Sequence, residues 1–327
     1  MKKFNGLKRI IFILCVIMAA GMMGGCSEAV SENKNVRIGA LKGPTSMGLM
    51  FLMEENKKNE VYTFTMATQA DELLGQMARE ELDIALIPAN VAAVLYQKMD
   101  GKAVVIDINT LGVLYMVTGD DSVATISDLK GRTIYLTGKG TTPDYVFHYI
   151  LEGNGLSEED LTLEYRSEAT EVAAILAKEP EAVGLLPQPF VTAACFHNEA
   201  LQVVLDLNAE WNKLQKEDKG CMVTGVTVVR KAFLEENKDM VDAFLKAHEQ
   251  SVGKMKENPQ KGAELVVEAG IVASVTIAME AIPKCNIACI VGEEMRETLS
   301  GYLMVLCEQN PEAVGGSLPA EDFYYEP

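Results

Sequence analysis

From Asn35 onward, short β-type runs alternate with helical patterns, and at one place two strand-like runs follow each other with no helix between them. The runs Val36–Leu41, Val61–Met66 and Asp83–Ile87 read as strands. The helical patterns Ser46–Lys57, Asp71–Glu81 and Ala89–Lys98 follow them, with apolar residues such as Leu73, Leu74, Met77 and Ala78 at helical spacing. Alternation of this kind requires a mainly parallel sheet with helices on its faces, because a parallel neighbour is reached only by a crossover. The strands Ala103–Asn109 and Leu111–Thr118 break the rhythm, which restarts at Thr133–Thr137. A helix over Thr142–Glu152, a strand Leu161–Arg166, a helix Glu168–Lys178, a strand Ala182–Leu186, a helix to about His197 and a strand Leu201–Leu205 complete a second set. Cys221–Arg230 is one more long strand, and the chain beyond is mostly helical, with breaks at Pro259, Gly270, Pro283 and Pro311.

One long strand leading out at Leu111 and one leading back at Cys221 predict two α/β lobes joined by two crossing strands. Lobe 1 takes residues 35–116 and 225–327, the latter with the C-terminal helices, and lobe 2 takes residues 117–224.

The first 25 residues have a different logic. Lys2, Lys3, Lys8 and Arg9 precede the apolar run Ile10–Ala20, and Met23-Gly24-Gly25-Cys26 closes a row of small residues. This is the pattern of an export signal cut before Cys26. The apolar run is 11 residues long, well short of the roughly 20 that cross a bilayer. The small-residue row resembles the lipobox of bacterial lipoproteins, with Met23 in place of the more usual leucine, which implies a diacylglyceryl group on the Cys26 thiol and further acylation such as palmitate. Residues 26–34, polar and nearly free of apolar side chains, then form a flexible tether. The expected place of work is the outer face of the cell membrane, at the cell surface or in the periplasm.

The 29 Lys+Arg, less the four in the leader, stand against 47 Asp+Glu, a formal charge near −22 for the processed chain. Such a surface argues against nucleic acid and against electrostatic docking on anionic lipid, but not against a small anion held by local groups. Cys195, Cys221, Cys285, Cys289 and Cys307 are odd in number; they read as buried apolar thiols, with a disulfide in an exported compartment as the alternative. Cys285 and Cys289 are four apart, yet no His or Cys pair lies close enough in sequence to complete a zinc site, and no metal is expected.

Ligands of open α/β sheets bind where strands end and helices begin. Those positions carry Lys42-Gly43-Pro44-Thr45-Ser46, Thr68-Gln69-Ala70, Pro88-Ala89-Asn90 and, in the second set, Gly138-Lys139-Gly140-Thr141-Thr142. The loops are small, polar and amide-rich, a setting for a carboxylate, sulfonate or phosphate at helix N-termini, where each end contributes about 0.3–1 kcal/mol. Taken singly, each loop is equally well an ordinary turn with a threonine N-cap.

No catalytic pattern accompanies them. Gly138-Lys139-Gly140-Thr141 lacks the spacing of a Walker A loop, and no G-x-S-x-G, H-E-x-x-H or strand-linked G-x-G-x-x-G occurs. His148, His197 and His248 lie inside helical patterns without a Cys or carboxylate partner at ligand spacing and read as structural or solvated. Trp211, in the polar stretch Asn208–Gly220, reads as a core anchor or a cleft lid.

In this order, the export signal, Arg37 to Thr45, Asp83 to Pro88, Ile126 to Ile134 and Leu185-Leu186-Pro187-Gln188-Pro189-Phe190 resemble an ABC-transporter substrate-binding protein of the type II group. Within it the likeness is to the SsuA/THI5-like proteins that serve nitrate, sulfonate, taurine and thiamine-precursor uptake, and it covers nearly all of residues 35–327. The resemblance implies a type II periplasmic-binding-protein fold, a monomer with no cofactor and no catalysis, whose lobes close on a small anionic or heterocyclic solute. It would deliver that solute to a permease and its ATPase. It also implies that Lys42, Gly43, Pro44, Thr45, Ser46, Thr68, Gln69, Asn90, Gly138, Lys139, Gly140, Thr141, Thr142 and Gln188 line the cleft. Two other functions remain open: an enzyme on the same scaffold, like those of the menaquinone pathway, and a ligand-sensing receptor without transport.

Overall fold

The structure is a computed structural model that describes residues 35–215 and 221–327; the signal segment, Cys26 and the tether lie outside the described residues. The chain starts with β1 (Val36–Leu41), α1 (Pro44–Met47), α2 (Met50–Asn59), β2 (Tyr62–Ala67), α3 (Ala70–Ala78), β3 (Ile84–Pro88), α4 (Ala89–Lys98) and β4 (Ala103–Leu111). It passes through β5 (Leu114–Thr118), β6 (Thr133–Thr137), α5 (Thr142–Gly153), β7 (Thr162–Arg166), α6 (Ala169–Lys178), β8 (Val183–Pro187), α7 (Phe190–His197), β9 (Gln202–Asp206) and α8 (Leu207–Leu214). It ends with β10 (Val223–Arg230), α9 (Lys231–Glu236), α10 (Lys238–Glu257), α11 (Pro259–Glu268), α12 (Val275–Ala281), β11 (Ile287–Ile290) and α13 (Gly292–Gln309).

These strands form two sheets, ordered β11-β4-β10-β3-β1-β2 and β7-β6-β8-β5-β9. The two-lobe α/β organisation is as predicted, but each sheet is mixed and not mainly parallel. The β/α runs pair in parallel, β1 with β2 and β3, and β6 with β7 and β8. The strands next to the crossing segments pair antiparallel, β10 with β3 and β4, and β5 with β8 and β9. A strand that enters from another sheet needs no crossover helix, so nothing forces it to run parallel. The change of sheet falls between Leu111 and Leu114, a few residues before the boundary expected at Met116, which pairs with Leu185 and Leu205 in the second sheet. The helix read over Ser46–Lys57 is broken, α1 ending at Met47 and α2 starting at Met50. A Cβ on the intervening Gly48 would come within 2.8 Å of His248 Nε2.

β3 shows why the core sits where it does. Ile84, Ala85, Leu86 and Ile87 are all buried, the continuous apolar run of a strand covered on both faces. In β1, a Cβ on Gly39 would approach Leu82 Cδ1 to 2.5 Å and Leu73 Cδ2 to 2.7 Å, so only glycine lets α3 pack this closely. At the far end of the same sheet Asp83 accepts from Arg37 Nη2 at 2.6 Å and Arg230 Nη2 at 2.7 Å, tying β1 to β10. Burial alone would raise the Asp83 carboxyl, but the hydrogen bonds from both guanidinium groups outweigh it and hold it below the usual carboxylate range.

Trp211 is a core residue. It is fully buried on α8, with its ring 4.6 Å from Tyr149 of α5 and 5.3 Å from Tyr302 of α13. Asp206 caps α8 by accepting from Asn208 N at 2.9 Å. α13 packs against α4 and β4 of one lobe and α5 of the other, so it belongs to both lobes, although its sequence position lies in the first.

Candidate functional site

The loops at the strand ends meet around a cavity of about 190 Å³ between the sheets. β1 delivers Lys42, Pro44 and Thr45; β2 delivers Thr68 and Gln69; β6 delivers Gly138, Thr141 and Thr142. Pro44 opens α1 directly after Gly43, whose φ of 142° excludes other residues at low cost. Gly225 on β10 is equally constrained, since a Cβ there would lie 2.4 Å from Thr45 Cγ2 and 2.5 Å from Asn109 Oδ1.

The other sequence-predicted residues take different places. Ser46 is buried, its Oγ donating to Gly43 O at 3.0 Å inside the loop. Gln188 is buried with its Oε1 accepting from Thr192 Oγ1 at 2.9 Å, which anchors the turn into α7. Lys139 and Gly140 line an outer chamber of about 760 Å³ that shares Gln69, Ala70, Gly138, Thr141 and Ser167 with the first, and there the Lys139 ammonium stands 5.2 Å from the Tyr165 ring centre. Asn90 is buried and spans the lobes: its Nδ2 donates to Gly140 O at 3.3 Å and Ala313 O at 3.2 Å, while its Oδ1 accepts from Thr142 Oγ1 at 3.4 Å. Gln69 makes a second span, its Nε2 donating to Ser167 O at 3.1 Å.

Several lining residues are not among those the sequence predicts. Ser167, Glu168, Ala169 and Thr170 follow β7, a strand end of the same kind as the others, and the topological rule alone is enough to find them. Leu114 and Thr224 flank the cavity from the strands that carry the crossings, and Phe190 begins α7. Gly270 and Ile271 arrive from the C-terminal helices, and no local pattern marks them as more than a helix break.

The chemistry of the lining is specific. Among the described residues, ten of the lining are apolar or proline side chains, among them Leu41, Pro88, Leu114, Pro187, Phe190 and Ile271, and the charged ones are Lys42 and Glu168. Of the lining threonines, Thr45 and Thr141 spend their hydroxyl protons locally, on Leu41 O at 2.9 Å and Gly138 O at 2.7 Å, whereas the Thr224 hydroxyl is buried without a partner. The Thr45 and Thr141 oxygens are left as acceptors for a solute.

The lobe-two loop differs from the anion cradle that its glycines suggest. Gly140 N donates to Asp144 Oδ2 at 2.7 Å and Thr141 N donates to Gly138 O at 2.9 Å, so both amides are committed inside the protein. Asp144 also accepts from the Tyr165 hydroxyl and pairs with His148 Nδ1 at 3.2 Å. Burial would raise the Asp144 carboxyl, and the bonds from His148, Gly140 and Tyr165 bring it below the usual range. The Asp144 hydrogen bond, against a smaller desolvation effect, lifts His148 to about 9. The Asp144/His148 pair sits at i, i+4 on one helix, which corrects the expectation that His148 has no carboxylate partner: one helical turn brings the two onto the same face.

A scaffold of two mixed sheets, with strand-end loops from both lobes around one cavity, defines the periplasmic-binding-protein class of solute-binding folds. Solved structures agree. An ABC transporter protein from Parabacteroides distasonis is 26% identical, with a TM-score of 0.74 over 89% of this chain and 98% of that one. The periplasmic aliphatic sulphonate binding protein SsuA from Escherichia coli is 14% identical, with a TM-score of 0.71 over 89% and 92%. The alkanesulfonate-binding SsuA from Xanthomonas axonopodis pv. citri, bound to MOPS, is 14% identical, with a TM-score of 0.67 over 87% and 94%. No protein of curated function matches the chain in sequence. The NMT1/THI5-like family model matches residues 96–262, half of the chain, and the chain belongs to that family.

Proposed function

We propose that this protein is the extracytoplasmic solute-binding component of an ABC importer, capturing one small solute between its lobes and handing it to a permease and its ATPase. The observation that carries this reading is the cavity itself, lined from both lobes and bridged by Asn90 and Gln69. Closure is driven by a solute only if it makes better contacts in the closed form, and a cavity with walls from both lobes provides them. Membership of the NMT1/THI5-like family and likeness to the Parabacteroides distasonis ABC transporter protein support the transport setting. Attachment through lipid on Cys26 would hold the acidic, monomeric receptor beside its permease.

The lining selects among solutes. Acceptor oxygens on Thr45 and Thr141, two committed amides and a single lysine favour a compact heterocycle with N–H donors over a sulfate-like anion. Lys42, the lysine of the lining, can hold one anionic substituent of such a solute. Among the described residues the charged groups of the lining are Lys42 and Glu168, and the role proposed for them is to hold the solute. Calorimetry with heterocycles and alkanesulfonates tests this: the heterocycles should bind more tightly, and Thr45→Ala and Thr141→Ala should weaken that binding. Unchanged affinity in both variants would remove the cleft assignment.

A further inference from the structure

Lobe 1 contains a second polar cluster, far in sequence from the cleft loops and unused by solute capture. Asp107 on β4 is completely buried, and its carboxylate accepts from Thr227 Oγ1 at 2.8 Å through Oδ1. Its Oδ2 lies 3.1 Å from Nδ1 of His248, on α10, which is also completely buried. Cys289 of β11 completes a group whose three donor atoms all fall within 4.8 Å of one another.

Two features of this group are unexplained by protein contacts alone. A fully buried carboxylate is costly unless a positive charge compensates it, and His248 is its only ion-pair partner among the described residues. The Cys289 thiol is unpaired with any other cysteine, although it faces both polar groups.

We propose that Asp107, His248 and Cys289 form a buried binding site for a divalent cation of the zinc class. Carboxylate oxygen, imidazole nitrogen and thiolate sulfur are the donors zinc takes, at about 2.0–2.3 Å. In a tetrahedral site those bond lengths separate oxygen from nitrogen by about 3.3 Å and sulfur from either by about 3.5 Å. The Asp107–His248 separation of 3.1 Å already matches that first edge. Closing the sulfur edges moves Cys289 by no more than about 1.3 Å from its 4.8 Å limit.

The backbone permits that movement. β11 is a four-residue strand paired with β4 only at Ile287↔Thr110 and Ile290↔Ile108, with a register shift between them. Such an irregularity re-aims the side chains within it, and Cys289 is one of the two residues it contains. Cys289 is also only partly covered, which gives an ion a route inward. Thr227, holding the other carboxylate oxygen, acts as the outer support that metal-binding carboxylates ordinarily have. On binding, the Cys289 thiol proton passes to solvent, the ring proton of His248 moves from Nδ1 to Nε2 so that Nδ1 can ligate, and the dication balances the thiolate and the Asp107 carboxylate together, fastening β11 and α10 to β4.

Cobalt(II) is the probe, because a thiolate bound to it gives a near-ultraviolet charge-transfer band. The full chain, stripped with a chelator, is titrated with cobalt(II) alone, then with zinc as competitor. The expected result is one cobalt per chain with the thiolate band, displaced by zinc, and a melting temperature that rises with zinc. Cys289→Ser abolishes the band while the other six cysteines of the full chain remain, and the isosteric Asp107→Asn, a second check on folding, weakens binding at least tenfold. Absence of the band in the wild-type chain, or its persistence in Cys289→Ser, overturns the site. Because neither reading depends on the solute, failure here leaves solute capture standing.

Discussion

Replacing Asn90 with alanine separates the closure contacts from the ligand contacts. Its cross-lobe bonds, to Gly140 O at 3.3 Å and from Thr142 Oγ1 at 3.4 Å, exist only while the lobes are together. Both are near the long limit of hydrogen-bond geometry, so each contributes about 0.5 kcal/mol, the lower end of the net range. Their loss costs the closed state about 1 kcal/mol. Since 1.4 kcal/mol is a tenfold change, the dissociation constant of the solute should rise about fivefold. The bond from Asn90 to Ala313 O, at 3.2 Å, lies within one lobe and is lost equally from open and closed forms. It therefore lowers the melting temperature without entering the binding ratio. The assay is calorimetry with the solute that native mass spectrometry finds on the purified protein, with small-angle scattering to follow the change in shape. An unchanged dissociation constant would show that the span between lobes carries no weight in closure, and a loss beyond a hundredfold would place Asn90 directly on the solute.

Other substitutions and a pH series probe the supporting structure. Asp83→Ala removes the carboxylate that pairs Arg37 with the mostly buried Arg230 and should destabilise by about 3 kcal/mol in urea unfolding; a change under about 0.5 kcal/mol would refute the network. His148 has its folded value raised to about 9, so its contribution is full below the unfolded value near 6.5 and disappears as pH rises through 9. Unfolding free energy should fall by on the order of 2 kcal/mol between pH 6.5 and 9.5, and His148→Gln should flatten that slope; parallel slopes would contradict the Asp144 pairing. Trp211→Ala should cost about 3–5 kcal/mol, measured by denaturant, as the fully buried centre of an aromatic group from α5, α8 and α13.

The parts of the fold legible in the sequence are those where a local pattern and a tertiary need coincide. Ile84–Pro88 is apolar on both faces because it is central in its sheet, and Pro88 stops it where α4 begins, so strand and helix are both visible in the residues. β11 is not visible, because four residues paired at only two points leave no alternation to detect. α8 is hidden in a polar stretch whose single buried ring, Trp211, gives no periodicity. The cavity follows the same division. Thr45, Gln69 and Thr142 stand at strand ends, which chain order reveals, whereas Gly270 and Ile271 come to the cavity only through the packing of α11 and α12. Glycines at 138 and 140 mark a tight loop, but the use of its amides is decided by Asp144 one turn on. The Asp107, His248 and Cys289 group is invisible by spacing, since β4, α10 and β11 meet only in the folded chain.

The central claim is that one small solute occupies the cavity between the lobes. Native mass spectrometry of the full chain as purified, beside an Ala169→Trp variant whose indole would fill that cavity, tests it most directly. The wild-type chain should carry a one-to-one small-molecule adduct that is missing from the variant. A wild-type chain without an adduct, or an adduct retained by Ala169→Trp, would contradict the claim.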